Sequence, residues 1–152
     1  MLTKRRLLSL VIMLLLPPQV AHAADDMSII VDKAWARASI LASRPGAAYL
    51  TIRNTGSAAD RLLGATSSVA QSVMVHATDA SGGTMRMRAV PSLEVGADSE
   101  VVLKPGGMHL MLMGLREKLV EGEQLTLVLT FERAGVIEVQ VLVRSSTAKT
   151  RK

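Results

Sequence analysis

The chain has 152 residues, 18 Lys+Arg against 13 Asp+Glu, and no cysteine. That length suits one domain with a self-sufficient core, and the missing cysteine excludes disulfides, thiolate metal sites and cysteine nucleophiles. One Trp, one Tyr and one Phe give no platform for stacking bases, so a nucleic-acid partner is excluded as well.

The chain begins with Lys4, Arg5 and Arg6, an apolar run over 7–16, then Pro17, Pro18 and the small-x-small triplet Ala21-His22-Ala23. This is the build of a secretory signal, with cleavage expected after Ala23. The run falls short of the roughly 20 residues that span a bilayer, so no stable membrane insertion is expected, and the bacterial periplasm is the expected compartment. Without residues 1–23 the chain keeps 15 basic residues against 13 acidic ones. Four of the basic residues, Arg144, Lys149, Arg151 and Lys152, lie in the last nine positions, so the body is near neutral. Residues 24–144 read as a single domain, and 145–152 as a disordered basic tail.

Short apolar runs separated by turn residues fill the mature chain, which is the pattern of an all-β sandwich or barrel. Strands are predicted over 28–31, 34–38, 47–53, 61–65, 72–77, 84–90, 99–103, 108–113, 124–131 and 136–143. Turns are marked by Pro45-Gly46, Asn54-Thr55-Gly56, Ser81-Gly82-Gly83, Pro105-Gly106-Gly107 and Ala134-Gly135. One helical turn fits within 115–121.

The strand over 108–113 belongs to the stretch GGMHLMLMG, which carries three methionines and a histidine. Strand alternation puts Met108, Leu110 and Leu112 on one face and His109, Met111 and Met113 on the other. The first set is core material, and the second is a set of soft ligands. A second cluster lies in 73–90, which reads as a hairpin centred on Ser81-Gly82. That centring places His76 opposite Met87, with Met74 and Met85 on the same face and Arg86 and Arg88 on the other.

Thioether sulfur is neutral and soft; it suits Cu(I) and is a poor ligand for zinc, magnesium or calcium, while imidazole accepts copper in either oxidation state. A thioether also cannot be lost to disulfide formation outside the cell. Imidazole must be deprotonated to bind, so acid weakens such a site through its histidines alone. Taken singly, His76 or His109 is more simply a hydrogen-bonded structural residue, and a strand Met is more simply core filler. The mature chain, however, has only two histidines and seven methionines, and each histidine shares a strand face with a Met two residues away. Met74, Met85 and Met113 are further candidates, against core or rim packing, and Trp35 is either a cover for the site or a core aromatic.

His76, ten residues, Met87, twenty-one residues, His109, one residue, Met111: this spacing resembles the motif H-x10-M-x21-H-x-M of the periplasmic copper chaperones called PCuAC. The resemblance extends over the mature chain, through AWARAS at 34–39, AAYLTIRNTG at 47–56 and PGGMHLMLMGL at 105–115. It implies a cupredoxin-like Greek-key β-barrel that binds Cu(I) through His76, Met87, His109 and Met111. It further implies delivery to a copper-receiving protein, either a cytochrome c oxidase subunit or another copper chaperone. The His- and Met-rich C-terminal extension of some relatives has no counterpart in 145–152. A monomeric carrier rather than an enzyme is expected. Blue-copper electron transfer fails for want of a cysteine. A copper buffer or resistance protein, and an exported β-sandwich binding module without metal, are the competing functions.

Overall fold

The computed structural model describes residues 28–79 and 83–149. The predicted signal segment and the last three residues of the predicted tail lie outside them.

Ten strands form: β1 Ile29–Arg37, β2 Gly46–Asn54, β3 Asp60–Thr66, β4 Ala70–Asp79, β5 Arg86–Val90, β6 Leu93–Val95, β7 Ser99–Leu103, β8 His109–Leu115, β9 Gln124–Phe131 and β10 Val136–Arg144. Seven of them close into a ring in the order β4-β8-β2-β1-β10-β9-β3, with β3 returning to β4 through Ala65 and Val73. The architecture is therefore the expected all-β barrel. All its pairings are antiparallel except β1 with β10, where Trp35, Ala36 and Arg37 run alongside Leu142, Val143 and Arg144. Outside the ring, β5 extends β4, β6 pairs with β3, and β7 pairs with the second half of β2.

Alternation builds the core. Leu125, Leu127, Leu129 and Phe131 on β9, Val139, Val141 and Val143 on β10, Leu110 and Leu112 on β8, Val73 and Val75 on β4, and Ala48, Leu50 and Ile52 on β2 all point inward and are buried. Two buried polar side chains tie loops to this barrel. The Asn54 amide donates to the Ala58 and Val95 carbonyls and accepts from Gly56 N, so its polar atoms are all satisfied inside the protein. The Asp60 carboxylate accepts from the backbone N–H groups of Arg61, Arg133 and Ala134 and fastens the β9–β10 hairpin to β3.

Three local expectations are corrected. The predicted strands 28–31 and 34–38 are one strand interrupted by a bulge, with a register shift between Asp32 and Trp35 and Lys33 at φ 51°; the extra residue is absorbed within the ladder rather than ending it. The three-residue strand β6 was not predicted, since Pro91-Ser92 and Gly96 leave too short an apolar run to show alternation. No helical turn forms over 115–121: Leu119 is buried and bonded in both directions to Ser39, which holds this segment extended. Among the described residues no helix is long and apolar enough to cross a membrane.

Residues 145–149 form a turn in which Ala148 N donates to Ser145 O, and the Ala148 carbonyl accepts from the Arg37 guanidinium.

Candidate metal centre

The faces of β8 divide as the alternation requires. Leu110 and Leu112 are fully buried in the core, while His109, Met111 and Met113 lie on the outer face of the barrel wall. The neighbouring β4 repeats the pattern, with Val73 and Val75 inward and Met74 and His76 outward. Antiparallel register then makes three direct cross-strand pairs on that outer face: His76 with His109, Met74 with Met111, and Ser72 with Met113. Opposite residues in such a pair stand about 4.5–5.5 Å apart at Cβ, so two remote stretches of sequence bring both histidines together. The histidine pair lies on the outside of the wall, at the first residue of β8, where the β4–β8 register ends.

The predicted pairing of His76 with Met87 is corrected by two residues. His76 lies opposite Ala89, and Met87 lies opposite Thr78, because the connection is longer than a turn centred on Ser81-Gly82 allows. A two-residue shift leaves every side chain on its original face, whereas a one-residue shift would reverse them. Met87 therefore remains on the face of His76 as its diagonal neighbour, within reach of a long flexible side chain. It is 59% exposed, the most accessible of the four predicted ligands. Arg86 and Arg88 pair with Asp79 and Ala77 and occupy the opposite face.

The imidazole rings of His76 and His109 have centroids 6.1 Å apart, tilted by 54°. That leaves room for one ion bonded to a nitrogen of each ring at about 2 Å. His109 Nδ1 lies 3.1 Å from the Gly107 carbonyl, a contact in which the ring can only donate. Its Nε2 is then a free lone pair, the arrangement that commonly orients a metal-binding histidine. His76 is the anomaly. Both its nitrogens are buried, and neither has a hydrogen-bond partner. Each such orphan costs about 1–3 kcal/mol, and native structures retain few of them without a reason.

Sequence reasoning missed Tyr49, the aromatic support behind His109. Tyr49 packs on the His109 ring at 6.4 Å and on Trp35 at 4.5 Å, so Trp35, Tyr49, His109 and His76 make one continuous row across β1, β2, β8 and β4. Trp35 is buried, yet it belongs to this outer row and not to the barrel core; it is one residue removed from the histidines. Arg37 lies over the Tyr49 ring at 5.7 Å, and Arg144 over Trp35 at 4.9 Å. Burial pushes the Tyr49 phenol above its ordinary pKa, with Arg37 opposing only in part, so the phenol stays protonated and does not compete as an anionic ligand.

No three His, Cys, Asp or Glu side chains gather at metal-binding distance among the described residues. The soft donors on the same face as the two histidines are thioethers: Met74 and Met111 in direct cross-strand pairing, with Met87 diagonal to His76.

The model of the LpqE-like family matches residues 29–143, the whole barrel. The chain belongs to the LpqE-like family. The LpqE-like chain is 37% identical over 115 residues to "Putative lipoprotein Lxx21020" of Leifsonia xyli subsp. xyli, covering 75% of this chain and 68% of that one. Among solved structures, the copper-bound PCuAC domain from PmoF2 superposes with a TM-score of 0.67, covering 78% of this LpqE-like chain and 93% of that domain. At 24% identity, that likeness is one of fold, the cupredoxin-like barrel. The CuI-DR1885 solution structure from Deinococcus radiodurans matches with a TM-score of 0.61 at 29% identity, over 86% of this chain and 89% of that one.

Proposed function

We propose that this protein is an exported Cu(I) carrier that binds one ion through His76, Met87, His109 and Met111. The observation that carries this reading is His76, whose two buried nitrogens have no partner and whose ring faces His109 across 6.1 Å. A metal ion would engage one nitrogen of each imidazole at once, giving His76 a partner and completing His109, whose Nδ1 already meets the Gly107 carbonyl. Met111, part-buried beside His109 on β8, and Met87, exposed on β5, supply the thioethers that make the set soft and uncharged. The copper-bound names of the structural relatives and the lipoprotein name of the sequence relative support the same reading.

His109, held by the Gly107 carbonyl and backed by Tyr49, is the fixed half of the centre. Met87 is its mobile half: an exposed thioether can swing away and let an incoming ligand take its place. A neutral ligand set favours release, since a recipient that offers thiolates binds Cu(I) more strongly. Delivery to a copper-receiving protein, whether a cytochrome c oxidase centre or another copper chaperone, fits this exposure better than storage does. Export through residues 1–23, with cleavage after Ala23, places the carrier in the periplasm, where it acts as a monomer and without enzymatic chemistry.

An anaerobic Cu(I) titration against a chromophoric chelator is the direct test. One tight equivalent is expected, weakened about tenfold or more in both Met87→Leu and Met111→Leu. Absence of competition in the wild type, or undiminished affinity in both variants, overturns the assignment.

A further inference from the structure

Beside the histidine pair lies a basic groove of about 730 Å³, formed where the segment after β10 passes the turn between β7 and β8. Its walls include Arg37, Lys104, Pro105, Gly106, Thr147 and Lys149, and no acidic side chain lines it. None of Arg37, Lys104 and Lys149 takes part in an ion pair among the described residues. The Arg37 guanidinium sends Nη2 to the Ala148 carbonyl at 3.3 Å, while its Nε is buried without a hydrogen-bond partner. The groove is thus lined by one guanidinium and two ammonium groups with no counter-charge among them.

We infer that this groove is the docking site for an acidic segment of the protein that exchanges copper with the histidine pair. The inference rests on the carrier reading for its location, and on the groove itself for its chemistry. A planar carboxylate on a flexible side chain is the group that matches a guanidinium fork. Such a side chain can enter the concavity and meet the part of Arg37 that lines it, whereas a lipid headgroup held at a membrane plane meets only the exposed lysines at the rim. Neighbours of the groove's lining residues also touch the metal centre. Gly107, which follows Pro105 and Gly106 in the same turn, gives its carbonyl to His109 Nδ1, and Arg37 stacks on Tyr49, which packs on the His109 ring. An acidic segment seated here brings the partner's own copper ligands alongside His109. Opposite charge then selects the partner and speeds encounter more than it adds affinity.

The test is a backbone amide NMR titration of the metal-free mature protein at low ionic strength with a hexaglutamate peptide. A hexalysine peptide and phosphatidylglycerol vesicles run in parallel. Saturable shifts are expected at Arg37, at Lys104, Gly106 and Gly107 and at 146–149, with no response to hexalysine. Affinity is expected to fall with added salt, and about tenfold or more in the double variant Lys104→Glu/Lys149→Glu, whose substituted positions are both exposed. Shifts centred on the Arg86/Arg88 face, unchanged affinity in the double variant, or binding to vesicles in place of the peptide each overturn the inference. Cu(I) titration of the double variant separates the two proposals: unchanged affinity is expected, and its loss would make the groove part of the metal centre and not a docking site. If the wild type itself takes up no Cu(I), the carrier reading falls while the peptide titration still decides the groove.

Discussion

His76→Leu is expected to melt at a higher temperature than the wild type when both are free of metal, by about 3–6 °C, while its Cu(I) affinity falls about 100-fold or more. The two effects share one cause. In the metal-free protein the imidazole holds two buried nitrogens without partners, and a leucine of similar bulk removes about 1–3 kcal/mol of unfavourable desolvation. The same change deletes a ligand. His109→Ala separates the terms differently: it also removes most of the Cu(I) affinity and leaves the fold in place. It lowers stability, however, because the ring is buried against Tyr49 and its loss strands the Gly107 carbonyl. Thermal melts of the metal-free proteins, paired with chelator competition, check both. A His76→Leu protein that melts below the wild type would show that the imidazole supports the fold, and the argument from its missing partners would fail.

Asp60→Asn is expected to cost about 2–3 kcal/mol at neutral pH, nowhere near the metal centre. Burial by itself would raise the Asp60 pKa, but hydrogen bonds from the backbone N–H groups of Arg133, Ala134 and Arg61, with the Arg133 charge, outweigh it and hold the carboxyl below its ordinary value of 3.8. An asparagine must turn an NH2 group toward at least one of those donors. The folded-state pKa lies below the unfolded one, so the stabilisation is complete above about pH 4 and is lost as pH falls through the folded value. Urea midpoints measured at pH 7 and pH 3 are therefore expected to differ between wild type and variant at pH 7, and by less at pH 3, which lies below the ordinary value of 3.8. An equal deficit at both values would mean that the carboxylate charge is not what binds the β9–β10 hairpin to β3.

Much of this was legible in the sequence wherever alternation and turn residues speak together. The leucines of β8 and β9 and the valines of β10 advertised their faces, and the separation of His109, Met111 and Met113 from Leu110 and Leu112 followed from a period of two alone. The hairpin register did not, because it depends on how many residues the connection between β4 and β5 consumes, and several glycine placements there look equally good. Parity protected the functional conclusion all the same, since an error of two residues kept Met87 with His76. The direct pairing of His76 with His109 was out of reach: it joins strands 33 positions apart, and only closure of the barrel sets β4 beside β8. The row of Trp35 and Tyr49 was hidden for a related reason. The sequence leaves Trp35 between a cover for the site and a core aromatic and gives no sign of Tyr49, because nothing local says that the outer wall has a buried row of its own. The orphaned nitrogens of His76 have no signature in sequence at all.

The one parallel pairing in the ring, between the first strand and the last, has a consequence for the life of the chain. A ring whose seam joins its two ends cannot be finished early. Until Val136–Arg144 has been synthesised, β1 and β9 both present open edges, and the long separation between the partners makes closure a late, slow event. On the exported-carrier reading proposed above, this order suits a polypeptide that crosses a membrane as a thread, because the strand that closes the barrel is the last of the ten to be made.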